Sequence, residues 1–551
     1  MHLKRAKKVC FVRQKEQICS FCKCVSQNAF VQWTSFMGAI DMVTTRSSSI
    51  LQPRPHMQET VSQVCCDVAV IGAGIAGCTA AQSAAEAGAS VICVEKFGTY
   101  TAHGADIAAV GTGIQSAAGI NIDGRLASRL IYQWSQQQAN YHLIKTFVNK
   151  SGQVLDHYIS MAADYGLRVI LNDEMTARPD WDMLEDRFKQ FRSAHKFIRT
   201  KNSTIKDSKW NAAFFVEMVF RSALEHGAEF WFNTTAESLI REGDCVTGVI
   251  VAGREGRRRI NVRKGVILAT GGITDNREMI ERWCPLALRA DKCDNFPVGG
   301  NMGDGIIMGQ QIGAAVSRCN PAPVIHPVNF SAIGPGINTS WLTVNRDGQR
   351  FCCEVAYEPI ITNARMNAPG NVAFAIWDSD YKKHILKQEP QKALQFMDGL
   401  EAAVEREVAK GDYYKGETLR ELAEIIGVPP DALQKTVERY NKWCDMGFDE
   451  DFGVPGRFLS PVRKGPFYAS KVTAWLLTLA HGLHVDHNSQ VCDEHDKPIG
   501  GLYAIGNVQG DFFANSYPVT LPGANHGRCV TFGRLVGRAL ALDTDINGYQ
   551  P

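Results

Sequence analysis

"CCDVAVIGAGIAGCTAAQSAAEAGASVICVEK", residues 65–96, decides the fold. Val68 to Ile71 is an unbroken apolar run, the pattern of a parallel strand buried on both faces. Gly72, Gly74 and Gly77 follow in the spacing G-x-G-x-x-G, with Ala73 and Ala76 between them. An alanine-rich helix and a second apolar run, Ser90 to Val94, complete a β-α-β unit. In such a unit the first glycine permits the tight turn and the second lets the backbone approach a pyrophosphate. The third lets helix and strand pack closely. The helix N-terminus then offers amide donors and partial positive charge to the phosphates. Glu95, followed by Lys96, closes the second strand where a ribose hydroxyl would need an acceptor. A glycine turn with no ligand is the plain alternative. The full succession of strand, turn, helix, strand and acid argues against it.

The rest of the chain sets bounds. Its 551 residues suffice for two or more domains. A composition of 45% hydrophobic and 21% charged residues is that of an ordinary globular protein. A formal net charge of +2 excludes a global electrostatic case for a nucleic-acid or membrane partner. No apolar run approaches the roughly 20 residues that span a bilayer. The basic N-terminus, "MHLKRAKKVCFVRQKEQICSFCKC", lacks the apolar core of a secretory signal, so a cytoplasmic protein is expected. Without such a signal the 17 cysteines do not read as a disulfide framework. Cys10, Cys19, Cys22 and Cys24 could supply four thiolates to an iron–sulfur or zinc centre. The weak periodicity around them favours the plainer reading of residues 1–63 as an unstructured leader.

Beyond the β-α-β unit, helical periodicity dominates from about 125 to 230, and residues 236–272 alternate as short strands. "REGRRR" within the latter reads as a solvated hairpin tip. Strand and helix patterns mix between about 326 and 470, and the last seventy or so residues return to strand, turn and helix. The expected fold is α/β, a Rossmann-like dinucleotide-binding domain interrupted by an inserted α+β capping domain. Residues 64–325 and 472–545 form the first and 326–471 the second.

Nicotinamide and flavin cofactors share the glycine fingerprint, so other segments discriminate. "VILATGG" (266–272) is a buried strand running into a glycine pair, and "GGLYAIGN" (500–507) is a second such strand. "HGADIAAVGTGI" (103–114) is a small-residue loop, and "GNMGDGIIMGQQIGA" (300–314) a glycine–aspartate–glycine turn opening a helix. In order and spacing these pieces resemble the fumarate reductase/succinate dehydrogenase flavoprotein superfamily, over residues 65–543. That superfamily includes the 3-ketosteroid Δ1-dehydrogenases and bacterial ene-reductases, and the resemblance lies nearest these, with cardiac-glycoside (digoxin) reductases a candidate near relative. The resemblance implies FAD, held without a covalent bond, with His103 the candidate if there is a tether. It adds Ala105, Asp106 and Gly111 of the loop, and Gly271, Gly506, Asn507 and Gly523, to the expected cofactor contacts.

Three places bear on the substrate. His326-Pro327 resembles the family's histidine–proline at the mouth of the cap; a histidine packed at a hinge is the alternative. "NRDGQRF" (345–351) followed by Glu354 matches the family, but Glu358, preceded by Tyr357, stands where fumarate reductases carry their proton-donating arginine. Arg365 lies too far along to replace it. Finally, "FFANSY" (512–517) stands where those enzymes place a histidine and an arginine for carboxylates. A dicarboxylate there would face two phenylalanines and no compensating cation, an unfavourable desolvation. Tyr517-Pro518 with Pro522-Gly523 instead resembles the ketosteroid dehydrogenases, at a spacing that departs by two residues. There a phenol and a backbone N–H polarise a carbonyl. A tyrosine filling the cap interface is the alternative, and His526 could back up proton delivery but is expected to be structural, near the flavin pyrimidine.

These features imply an FAD-dependent oxidoreductase acting on CH–CH bonds. The expected reaction reduces an activated C=C bond of a bulky uncharged enone or unsaturated lactone by hydride from flavin N5. Tyr517, with Tyr357, would polarise the carbonyl or protonate the α carbon. Alternatives are Δ1-dehydrogenation of a 3-ketosteroid, fumarate reduction, or an electron-transfer flavoprotein carrying a cysteine-bound cluster. With no second nucleotide fingerprint and no C-x-x-C-H haem site, a separate electron donor is expected.

Overall fold

The computed structural model describes residues 62–172, 190–293, 297–328, 339–356, 358–388, 390 and 397–548. Cys10, Cys19, Cys22, Cys24 and Tyr357 lie outside the described residues, as do the side chains of His326 and Glu358. The strand expected at Val68–Ile71 is longer, Ser62–Ile71, and so begins inside the expected leader. The reason is a partner distant in sequence: Ser62–Val64 lie parallel to Arg258–Ile260, and Val68–Ile71 to Gly265–Leu268. Val91–Val94 pairs in parallel on the other side, at Val68↔Val91 to Ile71↔Val94, and Glu229–Trp231 extends that edge. Pro498–Ala504 adds to the opposite side, parallel to Gly256–Leu268 at Leu502↔Val266. The residues along this sheet's centre, Val68, Ala69, Val70, Val266, Ile267 and Leu268, have no exposed surface, as a sheet covered on both faces requires.

Ile75–Glu86 covers one face of the sheet, and the final helix, Ala524–Leu542, packs beside it. Arg534, 2% exposed, anchors the pair by an ion pair to Glu86 at 2.8 Å. Between 125 and 230 the chain is less helical than its periodicity suggests. Helices Tyr141–Ala162 and Asn211–Glu225 flank two antiparallel strands, Leu167–Leu171 and Ala194–Arg199. Each strand is too short to carry a helical repeat, and the second also pairs with Ile107–Ala108.

Leu342–Asn345, Ala373–Trp377, Phe467–Lys471 and Tyr413–Gly416 form a separate antiparallel sheet. Two hydrophobic clusters of its own surround it, one built on helices Leu419–Ile426 and Pro430–Met446. Arg350, 5% exposed in its side chain, is held there by Glu354 and Asp449, each through two hydrogen bonds of 2.7–2.9 Å. Burial alone would push this guanidinium down, but the two carboxylates hold it above its ordinary value. Arg350→Met strands two buried carboxylates and is expected to destabilise the protein by about 3–5 kcal/mol, read by denaturant unfolding. A variant as stable as the parent contradicts this.

Among the described residues no helix is long and apolar enough to cross a membrane. Among them, too, no group of histidine, cysteine and carboxylate side chains could hold a metal ion.

Candidate active site

The turn after Ile71 is shaped by two close approaches. Gly72 sits at φ +103°, a region that side chains rarely enter. A Cβ on Gly77 would stand 1.8 Å from the Gly72 carbonyl oxygen. Gly74 differs: a Cβ there would meet only Thr101 Oγ1, at 3.7 Å, so its backbone faces open space. That space is a cleft lined by Gly72, Gly74, Glu95, Lys96, Thr270 and Gly271 among others. Gly74 is the N-cap of Ile75–Glu86 and no side chain caps this end. The Thr270 hydroxyl oxygen is buried and finds no hydrogen-bond partner among the described residues. Uncapped amides, an unsatisfied hydroxyl and a cleft that reaches bare backbone fit a pyrophosphate.

Glu95, 6% exposed, accepts from the Ala73 N–H at 2.8 Å and the Phe97 N–H at 2.9 Å, one on each carboxylate oxygen. The acid thus braces the glycine turn, and each oxygen keeps a lone pair for a ribose hydroxyl. Lys96 forms a 2.7 Å ion pair with Asp304, so the glycine–aspartate–glycine turn meets the acidic strand across the cleft.

From this cleft a chain of contacts runs to the 512–517 segment. Gly271 lines the cleft, and a Cβ on Gly272 would touch Asn507 Cβ at 3.5 Å. Gly506 turns at φ +69°, and Asn507 donates to Thr478 Oγ1 at 3.0 Å and accepts from Arg528 at 2.9 Å. The Arg528 guanidinium lies over both rings of "FFANSY", 5.5 Å from Phe512 and 5.0 Å from Phe513. Phe513 in turn packs edge-on against Tyr517 at 5.1 Å. The Tyr517 hydroxyl accepts the Asn525 N–H at 3.0 Å from the first turn of the final helix. Burial pushes the Tyr517 phenol up to about 12, against the opposing pull of that N–H and of Arg528.

Arg528 corrects the expectation of no compensating cation. It is 1% exposed and lies four residues inside the last helix, and its other hydrogen bonds among the described residues go to Asn525 Oδ1 and to both oxygens of Gln509. Motif comparison missed it because every partner except Asn525 is remote in sequence. The i, i+3 spacing of Asn525 and Arg528 on one helix face was the available signal.

The loop residues are also placed. His526 donates from Nδ1 to the Asp106 carbonyl at 2.9 Å, and a Cβ on Gly104 would press on its ring at 2.7 Å. Burial keeps this histidine below its ordinary value, so it is neutral and packed, in keeping with a structural role. Asp106 accepts from Asn172 at 2.7 Å, and the Gly111 N–H reaches Gln115 at 2.7 Å. Gly523, at φ +83°, receives the Ala108 N–H on its carbonyl at 3.1 Å, and a Cβ there would stand 2.9 Å from Asp106. Ala105 adjoins it. Arg365 is wholly buried on Asp291 at 2.5 Å and on Val472 and Asn371 at 2.9 Å, committed away from "FFANSY". His326 lies on Ala322–Val328 opposite Trp475.

Asp511, which opens the segment at φ +62°, is fixed by Ser317 at 2.6 Å and by His484 at 2.7 Å. His484 also meets Asp496 at 2.8 Å, and the two carboxylates, Asp511 foremost, raise its pKa. A histidine whose pKa rises on folding adds stability that is complete below its unfolded value of about 6.5 and is lost as pH climbs through the raised one. Melting temperature is therefore expected to fall across that interval in the parent and to flatten in His484→Gln. Equal slopes would contradict the assignment.

A family profile described as "FAD binding domain" matches residues 67–519. Over 490 residues the chain is 27% identical to "Probable fumarate reductase Ifc3" of Shewanella frigidimarina, covering 85% of this chain and 74% of that one. Over 509 residues it is 26% identical to the vinyl phenol reductase of Lactiplantibacillus plantarum, covering 87% and 97%. The open form of a flavocytochrome c3 fumarate reductase superposes with a TM-score of 0.63 at 25% identity, over 90% of this chain and 82% of that one. With a glycine turn, an acidic strand end and a cleft that fit the cofactor, the chain belongs to the FAD binding domain family of fumarate reductase/succinate dehydrogenase flavoproteins and is an FAD-dependent oxidoreductase acting on CH–CH bonds.

Proposed function

We propose that this flavoprotein reduces the C=C bond of a bulky, uncharged enone or unsaturated lactone. The observation that carries this reading is the Tyr517 phenol, buried among Phe512 and Phe513 and oriented by the Asn525 N–H. Its oxygen accepts that N–H, which leaves its own O–H to donate to a substrate carbonyl. Because burial holds the phenol up at about 12, it keeps its proton at neutral pH. Arg528 does not offer a carboxylate grip, since amide oxygens of Asn507, Asn525 and Gln509 take its N–H groups. A dicarboxylate would surrender its hydration to two aromatic rings.

Gly72, Gly74, Gly77, Glu95, Lys96, Gly271, Gly506 and Asn507 would hold FAD, which when bound supplies hydride-transfer chemistry. Tyr517 then serves the other half of the reduction: its one O–H first holds the carbonyl and then passes its proton to the α carbon. The electrons come from a separate reductant. Titrating the oxidised, FAD-loaded protein with cyclic enones, unsaturated lactones and fumarate tests the preference by perturbation of the flavin spectrum. Saturable shifts are expected with the uncharged compounds. A shift with fumarate and none with the others would overturn the reading.

A further inference from the structure

Arg528 is a buried cation among neutral partners. Its side chain contacts amide oxygens and two ring faces, and among the described residues no carboxylate bonds to it or acts on its charge. Burial lowers its pKa, yet a guanidinium in a protein stays protonated. Retaining an unneutralised charge in such a place is costly unless negative charge arises nearby during function.

We propose that Arg528 is a positioning residue that stabilises the phenolate left on Tyr517 when it gives up its proton. This deepens the function proposed above and rests on Tyr517 being the proton donor. In that step the Tyr517 O–H bond breaks and a C–H bond forms at the substrate α carbon. The carbon uses the electron pair released when hydride reaches the β carbon, and the O–H pair stays on the phenol oxygen. Two features receive that charge. The Asn525 N–H at the start of the 19-residue final helix already points at the oxygen from 3.0 Å, and Arg528 tethers the same Asn525 through its side chain at 3.0 Å. Arg528 also sits behind Phe513, whose ring sets the tilt of Tyr517. The other charged or titratable groups acting on the phenol are Cys529, from the same helix, and Asp106, from the loop beneath it; both oppose the phenolate. Arg528 is the cation that opposes them, and solvent returns the proton after turnover.

Fluorotyrosine labelling of the FAD-loaded full chain, with Tyr517→Phe used to assign the resonance, reads the phenol's titration midpoint by fluorine NMR. Arg528→Gln is expected to raise that midpoint by about one pH unit and to lower kcat about tenfold, with kcat/KM falling in step. Arg528→Lys should restore most of both. If Arg528→Gln does not accumulate as folded protein, Arg528→Met suits the same aromatic faces and is read the same way. A midpoint that does not move in the neutral variant overturns the proposal, even if stability or FAD content falls, because a merely structural arginine would do that. Full turnover in Tyr517→Phe together with a shifted midpoint would instead overturn the proton-donor role and leave the electrostatic coupling standing.

Discussion

Tyr517→Phe is expected to lower turnover by about 10²–10⁴-fold while the protein still carries FAD. The ring fills the same volume, so packing against Phe513 survives. What disappears is the hydroxyl proposed to donate to the substrate carbonyl. The change also leaves the half-buried Asn525 N–H without its acceptor, at a cost of about 1 kcal/mol in stability. Melting temperature should therefore drop modestly while FAD stoichiometry stays at the parent's value. Parent-like turnover in this variant would remove Tyr517 from the chemistry.

The two glycines of the turn should fail in different ways. Gly77→Ala drives a methyl to 1.8 Å from the Gly72 carbonyl, backbone against backbone, so neither side can give without moving strand or helix. Destabilisation of about 3 kcal/mol or more and purification without FAD are expected. Gly74→Ala meets only Thr101 Oγ1 at 3.7 Å, at an extended φ of −79° that alanine adopts freely. Its fold should hold to within about 1 kcal/mol. The methyl instead enters the cleft where phosphate oxygens would approach the helix amides. Loss of about 2–3 kcal/mol of phosphate bonding corresponds to a Kd for FAD weakened about 30–150-fold. Thermal melts and FAD titration of the two apoproteins separate these outcomes. Equal stability loss in both would contradict the placement of Gly74 at the cleft.

The contrast between these glycines also shows what a sequence exposes. The β-α-β unit is legible because its requirements are local: an apolar run, a turn that only glycine can make, and an acid at the next strand end. The short strands at 167–171 and 194–199 were hidden because their pairing is with each other and with 107–108, while the flanking helices dominate the periodicity. Ser62–Val64 likewise becomes strand only because Arg258–Ile260 lies alongside. At the active site the aromatic pair and Tyr517 stand in one visible stretch. The cation behind them does not, since Arg528 reaches it from the final helix and is held by residues 507 and 509. The expectation of a site without positive charge failed for that reason. The neutral substrate class stands on where the guanidinium's hydrogen bonds go rather than on its absence.

The most direct test of the substrate class is anaerobic reoxidation of the fully reduced, FAD-loaded protein in a stopped-flow spectrometer. Cyclic enones, unsaturated lactones and fumarate are compared at equal concentration. Rapid recovery of the oxidised flavin spectrum is predicted with the uncharged enones or lactones, and none above the buffer rate with fumarate. Recovery with fumarate alone would contradict the account.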